Sequence, residues 1–240
     1  MKMRKVMGAG LLALFMGMQP WVAMAANTNN DDDGLDQFQE RAVRNQWIKI
    51  RDDRRTNIVA WYKIEDGKAV RSFKLEAIMD SPMERVAKTI LDADNLQRYF
   101  WECFESRQVK KISDTEFYAY LKVNVPQPVP DRDIVLRLQA QPYSKKRGYL
   151  TFHIDAAPNV LPLSSGLVRV PEFTFDIKLT PMGAETRLEL EGSINPGGNI
   201  PSWAVNAIMR NAPYVSVLGM RRLAKLAKFE EPFPYRITED

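Results

Sequence analysis

The C-terminal stretch SINPGGNIPSWAVNAIMRNAPYVSVLGMRRLAKL, residues 193–226, joins a tight turn to a long helical pattern that is apolar on more than one side. A surface helix needs only one apolar stripe, so the extra apolar side must cover something else. Pro213 lies inside the pattern, where a missing N–H bends a helix. The stretch therefore predicts either an unusually thick core or a helix that stands apart from a sheet and encloses a cavity.

Strand patterns dominate the chain before this helix. Apolar and polar side chains alternate in five segments: 117–124, 134–140, 150–155, 173–179 and 187–191. Because successive side chains of a strand point to opposite faces, this alternation predicts an antiparallel sheet with one solvated and one apolar face.

The remaining patterns complete the order of elements. We expect a helix over 35–46, strands over 47–52, 58–63 and 71–80, and a hairpin turn at 65–68. Ser81 is the predicted N-cap of the next helix, with Pro82 as its first residue, and a short helix covers 93–99. About six further strands lead to the last helix, with Ser202 as N-cap and an end near Phe229. This order predicts an α+β fold with helices on one side of the sheet.

The N-terminus has the features of an export signal. Lys2, Arg4 and Lys5 precede an apolar run that is shorter than the ~20 residues of a membrane span, and Ala23-Met24-Ala25 forms a small-x-small cleavage site. We therefore predict a signal peptide over 1–25, a polar leader over 26–34 and a single domain over 35–240. The protein would be periplasmic or secreted.

Charge and reactive side chains exclude several classes of function. Three of the 34 basic residues and none of the 30 acidic ones lie in the predicted signal peptide, so the mature chain is nearly neutral. That balance argues against nucleic-acid binding. Cys103, the single cysteine, is predicted to be a buried thiol, and His153, the single histidine, is predicted to lie on the wet face of its strand. We predict no catalytic residue, no metal site and no cofactor.

Three motifs resemble the START family, the StAR-related lipid transfer domains. They are PVPDRDIVLRL at 128–138, SGLVRVPEF at 165–173 and TRLELEGSINPGGNIPSWAVN at 186–206. The resemblance implies a helix-grip fold, in which a curved antiparallel sheet wraps around a long C-terminal helix and leaves an internal apolar cavity for one lipid. The surplus apolar side of the helix would then face the ligand.

The resemblance also implies which residues form the site. The expected cavity lining is Leu121, Val123, Leu136, Leu138, Phe152, Phe173, Phe175, Leu190, Val205, Ile208, Met209 and Ala212. The expected tunnel mouth, with a hinge at its glycines, is Pro196, Gly197, Gly198, Ile200 and Trp203.

One family feature is missing. Some sterol-binding members pair an acidic residue with an arginine inside the cavity. Those positions fall near Tyr120 or Leu121 and at Leu138, while Arg137 is one residue off and is expected to point to the other face. The charged pair of these members is therefore not expected here.

Three groups of residues each have two possible interpretations from the sequence. Asp131, Arg132 and Asp133 fit either a polar gate or a turn followed by a salt-bridged strand start. Val160, Leu161 and Leu163 fit either a contact with a membrane or the tunnel, or packing on the domain's own flank. The basic residues from Arg221 to Lys228 fit a solvated helix face or a contact with anionic lipid.

Three functions fit the sequence. The first is a lipid-binding protein, which could transfer its ligand and touch a membrane surface transiently. The second is a cyclase- or hydrolase-type enzyme of the same superfamily acting on a hydrophobic substrate. The third is a sensor or interaction module with a filled core. The sequence leaves the identity of the ligand and the oligomeric state open.

Overall fold

A computed structural model describes residues 45–66 and 71–239 of the 240-residue chain. The predicted signal peptide, the leader, the first helix up to residue 44 and residues 67–68 of the predicted hairpin turn lie outside the described residues. The elements in chain order are β1 (Ile48–Asp53), β2 (Ile58–Ile64), β3 (Arg71–Met79), α1 (Met83–Leu91), a 3-10 helix (Ala93–Arg98), β4 (Cys103–Ser113), β5 (Glu116–Val123), β6 (Arg132–Gln141), β7 (Leu150–Ala156), β8 (Val168–Arg169), β9 (Glu172–Met182), β10 (Glu185–Asn195) and α2 (Ser202–Leu226).

Ten strands form one curved sheet. Its order is β1-β2-β3-β10-β9-β7-β6-β5-β4, and every neighbouring pair on this path is antiparallel. The two-residue strand β8 pairs in parallel with the start of β6, where Arg132 faces Val168 and Asp133 faces Arg169. The predicted α+β helix-grip architecture is confirmed, and β8 is an addition that the alternation pattern does not show.

The alternation in the sequence sets which face of each strand is buried. In β9, Phe173, Phe175, Ile177 and Leu179 are buried, while Thr174 and Asp176 between them are exposed. Buried side chains of the helices join the same core as the inner side chains of the strands. The apolar side of the sheet and the helices therefore share one interior.

The predicted N-cap of α1, Ser81, is one residue too early, and that of α2, Ser202, is one residue too late. The helix α1 begins at Met83 with Pro82 in the cap position, and α2 begins at Ser202 with Pro201 in the cap position. Neither cap makes a side-chain hydrogen bond. The backbone carbonyl of Ser81 instead accepts a hydrogen bond of 2.8 Å from the Thr186 hydroxyl, which ties the start of α1 to β10.

Polar contacts fix the second half of α2. The Tyr214 hydroxyl donates a 2.6 Å hydrogen bond to Asp53 at the end of β1, and this bond is the main cause that lowers the pKa of Asp53 to about 2. The Arg221 guanidinium donates to the backbone carbonyls of Thr56 and Ile78. Lys225 pairs with Asp80 at 2.6 Å. Of the basic residues in this stretch, Arg221 and Lys225 therefore bond to the protein itself.

After α2 the chain continues as an extended tail that packs back on the domain. Tyr235 and Ile237 are buried, and the Tyr235 ring lies 4.9 Å from the ring of Phe117 in β5. A short parallel bridge joins Thr238 to Tyr143. The tail thus packs near the start of β5, whereas the other end of that strand pairs with Arg132.

Gly192 in β10 leaves space for the aromatic rings of Phe173 and Phe175. A Cβ at this position would lie 2.6 Å from the Phe175 ring and closer still to the backbone carbonyl oxygen of Thr174. Phe175 itself packs on Phe173, with their ring centroids 4.6 Å apart. The absence of a side chain at position 192 thus allows this pair of rings to lie against the sheet.

We expect Gly192→Ala to lower the free energy of unfolding by about 1–3 kcal/mol, because the added methyl group must displace backbone or ring atoms. Urea denaturation monitored by circular dichroism measures the change. Glu191→Ala, at the exposed neighbouring position, is the control and should stay within about 0.5 kcal/mol of wild type. Equal stability of the two variants would contradict the close packing at Gly192.

Candidate functional site

An apolar cavity lies between the sheet and α2, along the helix from Val205 to Met220. The strand residues that line it, apart from Arg132, are all apolar: Phe73, Phe117, Ala119, Leu121, Val123, Ile134, Leu136, Leu138, Ile154, Phe173, Phe175, Ile177, Leu190 and Ile194. The helix α2 contributes Val205, Ile208, Ala212, Pro213, Ser216, Val217 and Met220. The additional apolar side of the helix therefore faces a cavity.

The size of the cavity suits a small molecule. The space open to the centre of a water-sized sphere is about 180 Å³. Widening this space by the 1.4 Å radius of the sphere gives a cavity of roughly 400–500 Å³. Small-molecule sites typically have volumes of about 300–1,000 Å³. This volume is on the scale of one acyl chain rather than of a two-chain lipid.

The structure brings most of the predicted lining residues together. Ten of the twelve line the cavity: Leu121, Val123, Leu136, Leu138, Phe173, Phe175, Leu190, Val205, Ile208 and Ala212. The side chain of Met209 lies outside the described residues. Phe152 is fully buried in the core and does not line the cavity. The cavity reaches Ile154 on the same face of β7 but does not extend two residues further to Phe152.

The predicted mouth residues have different environments. Pro196 lines the cavity, and Gly197 and Gly198 have positive φ values of 67° and 65°. Ile200 packs with Val125, Val129 and Ala204 in a small separate apolar cluster. Trp203 is half exposed.

The turn at 196–198 is held by Arg132, the first residue of β6. Its Nε donates to the Pro196 carbonyl at 3.2 Å and its Nη2 to the Gly197 carbonyl at 2.9 Å. Its Nη1 donates to the carbonyl of Pro130. The guanidinium lines the cavity and is almost fully buried, and burial lowers its pKa despite the opposing charge of Asp131. Asn124, Val125, Arg132 and Pro196 line the end of the cavity next to the 196–198 turn, which we call the turn end.

The next residue, Asp133, forms a buried ion pair with Arg169. Nε and Nη2 of Arg169 donate to the two carboxylate oxygens at 2.9 and 2.8 Å. The Tyr120 hydroxyl, itself 2.9 Å from the Ser164 hydroxyl, adds a 3.2 Å hydrogen bond. Asp131 accepts a 3.0 Å hydrogen bond from the backbone N–H of Val125. Of the two readings of this motif, the turn with a salt-bridged strand start is therefore the one observed.

Arg169 also fixes the apolar loop at 157–166. It donates to the carbonyls of Pro158, Leu161 (3.1 Å) and Pro162 (2.9 Å). Val160 and Leu163 are nevertheless exposed. The loop backbone thus packs on the domain, while two of its apolar side chains face outward.

No acidic residue and arginine are paired at the positions where some sterol-binding members of the family carry them. Leu121 and Leu138 line the cavity, whereas the Tyr120 hydroxyl bonds to Asp133. Arg137 points away from the cavity and forms a 2.7 Å ion pair with Glu116. The predicted outward direction of Arg137 is confirmed.

The two reactive side chains singled out in the sequence lie outside the cavity lining. His153 is exposed between Asp155 and Asp176, each 2.7 Å from one ring nitrogen, and the Asp176 contact is the main cause of its raised pKa. Cys103 is buried, and burial raises its pKa to about 11.

Across residues 45–66 and 71–239, no three or more His, Cys, Asp or Glu side chains are grouped to hold a metal ion. None of the described helices is long and apolar enough to cross a membrane.

Other lining residues could not be assigned from the motifs. Tyr99, Phe100 and Trp101 follow the 3-10 helix, and Asn124 and Arg132 flank the loop between β5 and β6. Their local sequence shows aromatic or turn residues without a periodic signal. For Tyr99, the close approach of α2 explains the position. Gly219 of α2 allows this approach, since a Cβ there would lie 3.0 Å from the Tyr99 backbone.

A curved antiparallel sheet around a C-terminal helix with an apolar cavity between them defines a helix-grip domain. Comparison with solved structures confirms the resemblance to the START family. A STAR-related lipid transfer protein from Xanthomonas axonopodis is similar with a TM-score of 0.68 and 27% identity, covering 75% of this chain and 98% of that one. Human StAR-related lipid transfer protein 5, at 14% identity, shares the fold with a TM-score of 0.62 over 80% of this chain and 92% of its own.

Sequence comparison gives relatives over about half of the chain. An uncharacterised protein of Pseudomonas aeruginosa is 30% identical over 129 residues, 53% of this chain and 62% of that protein. The phosphatidylcholine transfer protein of mouse is 27% identical over 114 residues, 46% of this chain and 53% of its own length. The match thus spans less than two thirds of either relative. No family model matches the chain.

Proposed function

We propose that this protein binds one lipid in the cavity and shields it from water, as a carrier rather than an enzyme. The observation that supports this most directly is the lining: its strand side chains are apolar except for Arg132 at one end. Similarity to proteins named for lipid transfer supports the same class of ligand.

Burial alone can supply the affinity. Apolar surface removed from water contributes about 25 cal/mol per Å². Association costs an estimated 4–15 kcal/mol in lost freedom, so a ligand must bury several hundred Å² to bind. A long hydrocarbon chain in this cavity meets that requirement, and no chemical step is needed.

The first experiment is native mass spectrometry of the purified protein, followed by organic extraction and identification of the bound molecule. We expect a mass above that of the polypeptide by one lipid. The stripped protein should then take up a fluorescent fatty acid with one-to-one stoichiometry. A ligand-free mass together with no uptake of any apolar probe would overturn the proposal.

We further propose that residues 1–25 direct export and are removed, so that the carrier works in the periplasm or outside the cell. Cell fractionation and N-terminal sequencing test this. We expect the mature chain to begin at residue 26 and to leave the cytosol. A cytosolic protein that keeps its initiator methionine would contradict export without affecting the proposal on lipid binding.

A further inference from the structure

Arg132 is a buried cation in an apolar cavity. Its side chain is 2% exposed, and it is the only charged residue among the described residues that line the cavity. A charge removed from water is costly unless hydrogen bonds and an opposite charge compensate for it.

The two buried arginines of this region differ in their partners. Arg169 meets both carboxylate oxygens of Asp133, which raises its pKa, with burial opposing. The hydrogen bonds of Arg132 all go to backbone carbonyls, which carry no net charge. No ion pair in the described part of the chain joins Arg132 to a carboxylate. Asp131 is close enough to act on its charge, but burial outweighs that effect and the pKa is lowered.

The guanidinium of Arg132 also has donors left over. A guanidinium carries five N–H groups. The bonds to Pro130, Pro196 and Gly197 account for one on each nitrogen, so two terminal N–H groups are not used by them. A planar fork of this kind matches the oxygens of a carboxylate or a phosphate.

A neutral amide lies at the same end of the cavity. Asn124, which also lines it, directly follows Val123, and Val123 is the register partner of Arg132 between β5 and β6. The turn end therefore combines one unpaired cation with one amide, and the rest of the strand lining is apolar. This distribution fits an elongated molecule that is anionic at one end.

We propose that the ligand is a single-chain amphiphile whose anionic head group, a carboxylate or a phosphate, binds Arg132 at the turn end of the cavity. The inference rests on the proposed lipid-binding function and narrows its ligand class. The single chain follows from the cavity volume, and the head group forms the direct ion pair that no carboxylate of the described residues makes with Arg132.

The test compares head groups on one chain. Dissociation constants for oleate, oleoyl lysophosphatidic acid and oleyl alcohol are measured at pH 8 with the stripped protein. We expect either anionic lipid to bind at least about tenfold more tightly than the alcohol, because hydrogen bonds to charged groups are the strong ones. Inorganic phosphate and acetate alone should not compete at millimolar concentration, because they lack the chain.

Variants of Arg132 separate a head-group role from a structural one. Arg132→Gln should reduce the affinity for oleate at least about tenfold and leave that for oleyl alcohol nearly unchanged. Arg132→Lys should keep part of the preference. Arg187→Gln, which removes an exposed cation of β10, is the matched control and should change neither affinity.

Each outcome decides between the proposals. Binding of neither oleate nor oleyl alcohol would refute lipid binding itself. Equal binding of both would refute the anionic head group and leave lipid binding intact. Equal loss of both in Arg132→Gln would show that Arg132 only supports the turn. Competition by inorganic phosphate alone would show a site for free anions. If Arg132→Gln does not fold, the wild-type comparison and Arg132→Lys still decide.

Discussion

Replacing Arg169 with methionine will lower the free energy of unfolding by about 3–5 kcal/mol, because the Asp133 carboxylate is then buried without its counter-ion. Both side chains are nearly inaccessible, 6% and 1% exposed, so water cannot take the place of the guanidinium. The loop carbonyls of Leu161 and Pro162 lose their donor as well. Urea denaturation followed by circular dichroism measures the loss.

The matched control is an exposed ion pair on the same sheet. Arg187 and Glu76 lie 3.1 Å apart, with Arg187 half exposed. Exposed pairs contribute about 0–1 kcal/mol, so Arg187→Met should cost no more than that. A loss in Arg169→Met as small as in the control would mean that the buried pair does not hold β6 to β8.

The effect should depend on pH with a defined sign. Burial opposes ionisation of Asp133, but the hydrogen bonds and charge of Arg169 hold its pKa below the ordinary value. A carboxyl group with a lowered folded-state pKa contributes stability above its unfolded pKa of about 3.9, and this contribution is lost as pH falls through the folded value. Without Arg169, burial raises the pKa of Asp133, so protonation relieves the variant. The stability difference between wild type and Arg169→Met should therefore shrink from pH 7 to pH 4.5.

Alternating patterns predicted the sheet because one physical cause controls them. Each strand has one face on the core, so β9 shows its register in the order of Phe173, Thr174 and Phe175. The same reasoning identified the surplus apolar side of α2, since a helix on the surface of a domain needs only one apolar stripe. The choice between a thick core and a cavity could not follow from the pattern, because it depends on the distance between helix and sheet.

The features that were missed depend on contacts between distant parts of the chain. Phe152 obeys the inward alternation of β7, yet the cavity ends before it. The tail with Tyr235 and Ile237 has no strong periodicity, and its position follows from contacts such as that with Phe117. Arg132 and Asp133 are adjacent in sequence with similar composition around them, but one faces the cavity and the other faces Arg169. Alternation predicts opposite faces for this pair, but not which partner each would find.

Filling the cavity should abolish lipid uptake without unfolding the protein. Ala212 lies on the cavity side of α2 and is half-buried, so the indole of Ala212→Trp will enter the space meant for the acyl chain. We expect the affinity for a fluorescent fatty acid to fall at least about tenfold, since the ligand can no longer bury most of its apolar surface. Uptake is measured by fluorescence titration of the stripped protein.

The control for this variant is a tryptophan at an exposed position of the same helix, one turn further along. Val215 is exposed and does not line the cavity, so Val215→Trp adds a similar side chain without occupying the site. Overpacking of a filled core costs about 1–3 kcal/mol, whereas an indole that enters an existing space should leave the free energy of unfolding close to wild type. Normal uptake by Ala212→Trp would place the ligand elsewhere. A large loss of stability would show that the space beside Ala212 is too small for a guest, and either result removes the basis of the carrier model.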